Sequence, residues 1–240
     1  MRKHRRVEPR VRFEDIDELV DRVAKETPAP GDYLFDHRID AIKERNATMD
    51  EKKLARILKI HFRDLPVSQD TVRALQARKF FKLTEVQRCV IPHALAGRDI
   101  MAASKTGSGK TIAYLVPVIE NIYRHKWTPL DRTGSLIILP TRELAVQVYE
   151  ILRSLLTNFH ELSFGLLIGG KNIEAEQREI NNMNILIATP GRLLQHLQET
   201  EHFDLDNLKL LVLDEADEIL SMGFSHCLTE ILEYVPRHCQ

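Results

Sequence analysis

The sequence predicts an α/β fold, a parallel sheet with helices on both faces. Three observations predict it. From about residue 61 onward, short apolar runs alternate with helical patterns. The runs are apolar nearly throughout instead of alternating with polar residues, as strands buried on both faces require. Finally, a glycine-rich stretch, "SKTGSGKT" at 104–111, lies between one such run and a helix. Loops at the carboxyl ends of strands are where open α/β sheets bind ligands.

The elements follow in order. Residues 1–60 form a charged, partly helical extension. Six basic residues fall within 2–12, a pattern that fits a nucleic-acid contact, an import signal or a solvated terminus. Ile16, Leu19, Val20 and Val23 have helical spacing, and "TPAPGDY" at 27–33 stops that helix. "TMDEKKLARILKI" at 48–60 reads as a second helix, with Thr48 as its cap and Glu51 three residues on. Residues 61–240 form the main domain. "RDIMAAS" at 98–104 reads as a strand, followed by a helix from 110 to about 123. "SLIILP", "LSFGLLIG", "NILIATP" and "LKLLVLDEAD" read as further strands. Helices "RELAVQVYEILRSLL", "NIEAEQREI" and "GRLLQHLQE" come between them.

Composition narrows the function classes. A chain of 240 residues with 43% apolar content can bury a core. Its net charge of -1, from 34 basic and 35 acidic residues, argues against a pure nucleic-acid coat protein. Three widely spaced cysteines, Cys89, Cys227 and Cys239, argue against a disulfide scaffold or a structural zinc site. A reducing, intracellular setting is expected. No apolar run reaches 18 residues, so no membrane segment is expected.

The loop carries the chemistry. Gly107 and Gly109 allow a tight turn with inward-pointing N–H groups. The following helix adds its positive end. Lys110 can reach outer phosphates, and the Thr111 hydroxyl can coordinate Mg2+. "LLVLDEAD" ends a buried strand with Asp214 and Glu215. One carboxylate there can hold Mg2+, and its neighbour can activate a water against the terminal phosphate.

With these motifs in hand, residues 61–240 resemble the first RecA-like domain of the DEAD-box ATP-dependent RNA helicases, a P-loop NTPase fold. Within that family the resemblance is closest to the Dbp4/DDX10-like helicases of ribosome assembly, through "KTGSGKT" and the "TRELAVQ" and "IGGKN" contexts. The resemblance implies ATP and Mg2+ as cofactors. It implies that "FKLTEVQ" at 81–87 reads adenine, with Thr84 and Gln87 in the site and Phe62 stacked on the base. Ser104, Lys105, Thr106, Gly107, Ser108, Gly109, Lys110 and Thr111 would form the phosphate loop. Asp214 would hold Mg2+ with Thr111, Glu215 would act as general base, and Asp217 would serve a contact between motifs or domains. Thr141, Arg142, Gly169, Gly170, Thr189, Gly191 and Arg192 would track the RNA backbone. Taken singly, Gln87 reads as a surface residue, Phe62 as core, and Arg142 or Arg192 as a solvated helix start. The ordered set outweighs those readings.

Three positions depart from the family pattern. Lys79 and Leu83 stand where glycine and proline are usual, and Ser104 where alanine is usual. "ILEYVPRHCQ" ends before the Ser-Ala-Thr motif expected on the next strand, and before a second RecA-like domain. The expectation is therefore an incomplete domain, missing a strand between the phosphate-loop strand and the DEAD strand. Such a chain would be weakly active or inactive alone and an ATPase and RNA helicase when complete. Pre-ribosomal RNA, ribosome-assembly proteins, a monomeric core and a nucleolar location follow from the resemblance alone. A nucleotide-dependent RNA- or protein-binding scaffold without catalysis is the alternative.

Overall fold

The computed structural model describes residues 14–30, 61–170 and 172–240. The basic run at 2–12 and the helix expected at 48–60 lie outside the described residues.

Four parallel strands form the sheet: β1 (Ser135–Ile138), β2 (Phe164–Leu167), β3 (Ile185–Ala188) and β4 (Leu210–Leu213). Their order is β2-β3-β1-β4. Ser135 pairs with Ile185 on one side and Leu210 on the other, so β1 is central. Leu136, Ile137 and Ile138 are fully buried, as are Ile185, Leu186 and Ile187. Alternate residues of these strands enter two cores on opposite faces. Ile137 and Ile187 join one, and Leu136, Ile138 and Leu186 the other.

Nine α-helices are described: α1 (Glu14–Glu26), α2 (Gln69–Ala77), α3 (Glu85–Leu95), α4 (Lys110–Arg124), α5 (Arg142–Leu156), α6 (Ile173–Glu179), α7 (Pro190–Glu199), α8 (Ala216–Ser221) and α9 (Ser225–Glu233). Helix α1 buries Ile16, Leu19 and Val23 while Val20 stays exposed, and it packs on α3 and α4. No described helix is long and apolar enough to cross a membrane.

Helix starts follow local chemistry. Ser68 caps α2 by accepting the Thr71 N–H at 3.2 Å. Thr141 caps α5 by accepting the Leu144 N–H at 3.3 Å. Pro190 occupies the first turn of α7, where its missing N–H costs nothing.

The structure departs from the sequence reading at "RDIMAAS". Residues 98–104 form no strand, and Ile100 and Met101 are exposed. Apolarity suited them to a sheet, but among the described residues no strand pairs with them. A cavity of about 310 Å³ separates them from the free edge of β4, with Ile100, Ala102, Leu211 and Leu213 in its walls. The last residue enters this slot. The Gln240 N–H donates to the Lys209 carbonyl, and the Gln240 carbonyl accepts the Leu211 N–H at 2.8 Å. The Gln240 side-chain amide donates across the slot to the carbonyls of Ala94 and Arg98, at 3.1 and 2.7 Å.

Lys79 is the second informative position. Its φ is +63°, in the left-handed region where glycine costs nothing. A lysine there carries strain of about 1 kcal/mol.

Candidate nucleotide and RNA site

The phosphate loop closes on itself. Gly109 starts α4 at φ +97°, a conformation that favours glycine. The Ser104 and Ser108 hydroxyls are bonded at 2.7 Å, and the Ser108 N–H donates to the Lys105 carbonyl at 3.3 Å. Thr106 and Gly107 turn between them, Gly107 at φ +76°. The Lys110 ammonium donates to the Ser104 carbonyl at 3.2 Å. It also meets Glu215 Oε1 at 3.2 Å, with both side chains about a third exposed or less.

The end of β4 presents the acidic pair. Glu215 is left-handed at φ 50°, ψ 49°, a conformation that costs a non-glycine residue about 1–2 kcal/mol. That turn directs the Glu215 carboxylate at Lys110. The Glu215 N–H donates to Asp214 Oδ1 at 3.0 Å, and the Tyr114 hydroxyl donates to Asp214 Oδ2 at 2.9 Å. Burial first, then the Asp214 charge, push the Tyr114 phenol far above its usual range, so it remains a donor. Tyr114, three residues after Thr111 on α4, thus ties Asp214 to the helix that carries Thr111. Oxygen donors of this kind suit a hard divalent cation, so the residues fit Mg2+.

Gln87 is buried, and both edges of its amide are used. Oε1 accepts the Thr84 N–H at 2.9 Å, closing the cap of α3, and Nε2 donates to the Gly109 carbonyl at 3.0 Å. The expected adenine reader therefore ties its own turn to the phosphate loop. Phe62 is 1% exposed and belongs to the core. It floors a recess of about 320 Å³ whose accessible aromatic surface comes from Phe80 and Phe81. Adjacent aromatics in "KFFK" were the available sequence signal for that surface.

The expected RNA track forms a second recess, of about 580 Å³, lined by Thr141, Arg142, Gly169, Thr189, Gly191 and Arg192 among others. The glycine pair has a steric reason. A Cβ on Gly169 would lie 2.9 Å from Arg142 Nη2, and one on Gly170 3.0 Å from Nη1. A side chain at either position would crowd the Arg142 guanidinium. Arg192 is different. Its Nε donates to Glu176 Oε2 at 2.8 Å, and its side chain is 8% exposed. The same Glu176 oxygen accepts from buried His196 Nε2 at 2.9 Å, and His196 Nδ1 takes the Thr200 hydroxyl at 2.8 Å. Glu176 was absent from the sequence reading, because nothing in its position marks it as the partner of a residue 16 places on.

Comparisons decide the family. The DEAD/DEAH box helicase profile matches residues 84–240. The chain belongs to the DEAD/DEAH box helicase family. Its architecture is the RecA-like α/β fold, a parallel sheet flanked by helices. The chain is 54% identical over 179 residues to the probable ATP-dependent RNA helicase ddx10 of Dictyostelium discoideum, covering 75% of this chain and 20% of that protein. It is 52% identical over 180 residues to the ATP-dependent RNA helicase dbp4 of Schizosaccharomyces pombe, covering 75% and 24%. The chain thus spans about a fifth to a quarter of the length of these curated relatives. A DEAD box protein from the hyperthermophile Methanococcus jannaschii superposes with a TM-score of 0.69 at 34% identity, over 76% of this chain and 49% of that one.

Proposed function

We propose that this chain is the nucleotide-binding half of an ATP-dependent RNA helicase or remodeller acting in ribosomal RNA processing. The observation that carries the reading is the Lys110–Glu215 contact at 3.2 Å, which brings the phosphate-loop cation onto the candidate general base. Under this reading Lys110 moves from the Ser104 carbonyl and Glu215 to the outer phosphates of ATP. Glu215, released, orients and deprotonates the attacking water. Thr111 and Asp214 would hold Mg2+, which when bound neutralises charge on the transferring phosphoryl group. Arg142, seated on Gly169 and Gly170, would take an RNA phosphate, with Thr141, Thr189, Gly191 and Arg192 along the same recess. A second RecA-like domain would supply the transition-state arginine and the rest of the RNA surface. Pre-ribosomal RNA, assembly-factor partners and a nucleolar location are part of the proposal, supported by the similarity to helicases named ddx10 and dbp4.

The test is ATP turnover with and without single-stranded RNA, on this chain and on a longer chain that includes the second domain. RNA-stimulated turnover in the long form only is expected. Nucleotide binding without turnover in either would refute catalysis and leave a scaffold that uses ATP as a ligand.

A further inference from the structure

We propose that Tyr114 is a positioning residue for the divalent-cation site, holding the Asp214 carboxylate against the helix that carries Thr111. The inference rests on the proposed nucleotide and Mg2+ reading and goes beyond it to a residue that reading does not use.

Tyr114 lies four residues after Lys110 on α4, one turn along the same face. Its ring lines the slot beside β4 together with Asp214 and Lys110. Its hydroxyl donates to Asp214 Oδ2 at 2.9 Å, while Oδ1 is held by the Glu215 N–H at 3.0 Å. Both oxygens of the carboxylate are therefore fixed, one from the helix that carries the phosphate loop and one from its own backbone. Thr111, the second candidate ligand, lies three residues before Tyr114 on the same helix. Asp214 follows the last residue of β4, whose far edge, among the described residues, is met only by Gln240. Without the hydroxyl, its carboxylate would be free to rotate toward that slot. Groups that hydrogen-bond a metal-binding carboxylate fix its orientation, and their removal costs about 10–100-fold in metal affinity.

Tyr114→Phe deletes the hydroxyl and keeps the ring in the core. The experiment titrates Mg2+ into parent and Y114F proteins with a fluorescent ADP analogue and reads nucleotide binding, with a parallel titration in EDTA. The expected result is unchanged binding in EDTA and a Mg2+ half-saturation raised about tenfold or more in Y114F. Equal Mg2+ curves would overturn the positioning role. A loss in EDTA equal to the loss with Mg2+ would also overturn it, making Tyr114 a packing residue. If the parent itself binds no nucleotide, or binds it independently of Mg2+, the underlying reading fails and takes the inference with it.

Discussion

Replacing Gly109 by alanine should cost the unliganded fold about 2–3 kcal/mol, the sum of two local effects. The first is backbone strain. At φ +97° an L-residue pays about 1–2 kcal/mol. The second is a collision. The new Cβ would stand 2.5 Å from Gln87 Nε2 and 3.1 Å from Thr84 Oγ1. A side-chain tip can usually swing aside, but Gln87 is 3% exposed and held at both amide edges. Moving it breaks the Nε2 bond to the Gly109 carbonyl, worth about 1 kcal/mol. Gly107→Ala is the matched control. Its φ is +76°, yet nothing lies within 4 Å of its Cβ, so it carries backbone strain alone. Urea unfolding followed by circular dichroism, without nucleotide, measures both. G109A should fall below G107A by about 1 kcal/mol. Equal losses would show that Gln87 does not tie the turn before α3 to the phosphate loop.

Other substitutions probe separate parts of the structure. Asn184 is fully buried, accepts the Ser163 hydroxyl at 2.9 Å, and donates to the carbonyls of Thr128 and Arg132 at 2.7 and 3.2 Å. Asn184→Ala strands those partners and should cost about 2–4 kcal/mol in the same urea assay. Burial lowers the His160 pKa to about 4, below its ordinary value of 6.5, so protonation favours the unfolded chain. Its contribution is complete above pH 6.5 and is lost as pH falls toward 4. The stability of His160→Phe, measured against the parent across that window, should decline less. Lys110→Ala should abolish measurable binding of a fluorescent ADP analogue. Retained binding would remove Lys110 from the proposed phosphate site.

Strand and helix positions were legible where burial on both faces left an unmixed apolar run. β1, β3 and β4 lie inside their predicted segments, and helix 142–156 matches its pattern from end to end. "RDIMAAS" has the same composition, but a strand needs a partner as well as apolar side chains, and composition carries no information about partners. The same limit applies to the site. Glycine and lysine spacing marked the phosphate loop because backbone geometry dictates those residue types locally. The Arg192–Glu176 pair, the double use of Gln87 and the Tyr114–Asp214 bond join residues 16, 22 and 100 positions apart. Such pairings are set by how elements pack, so residue type alone could not disclose them.

Those pairings share a consequence. Without ligand, the groups proposed to bind it are already satisfied by the protein. Lys110 holds the Ser104 carbonyl and Glu215, Gln87 holds Thr84 and Gly109, and Arg192 holds Glu176. Under the proposed function, nucleotide and RNA binding are exchanges, in which each new hydrogen bond replaces an existing one. The net return per exchange is the difference between two similar bonds, well below the several kcal/mol of an isolated bond. Weak affinity of this domain alone follows from that arithmetic, even with every motif residue present. The exchange at Lys110 has a further effect. The ammonium cannot leave for a phosphate without freeing Glu215, so occupancy of the loop and availability of the base are coupled through one 3.2 Å contact. Under the proposed function, the ion pair that holds Glu215 on Lys110 keeps the carboxylate engaged until nucleotide takes the ammonium.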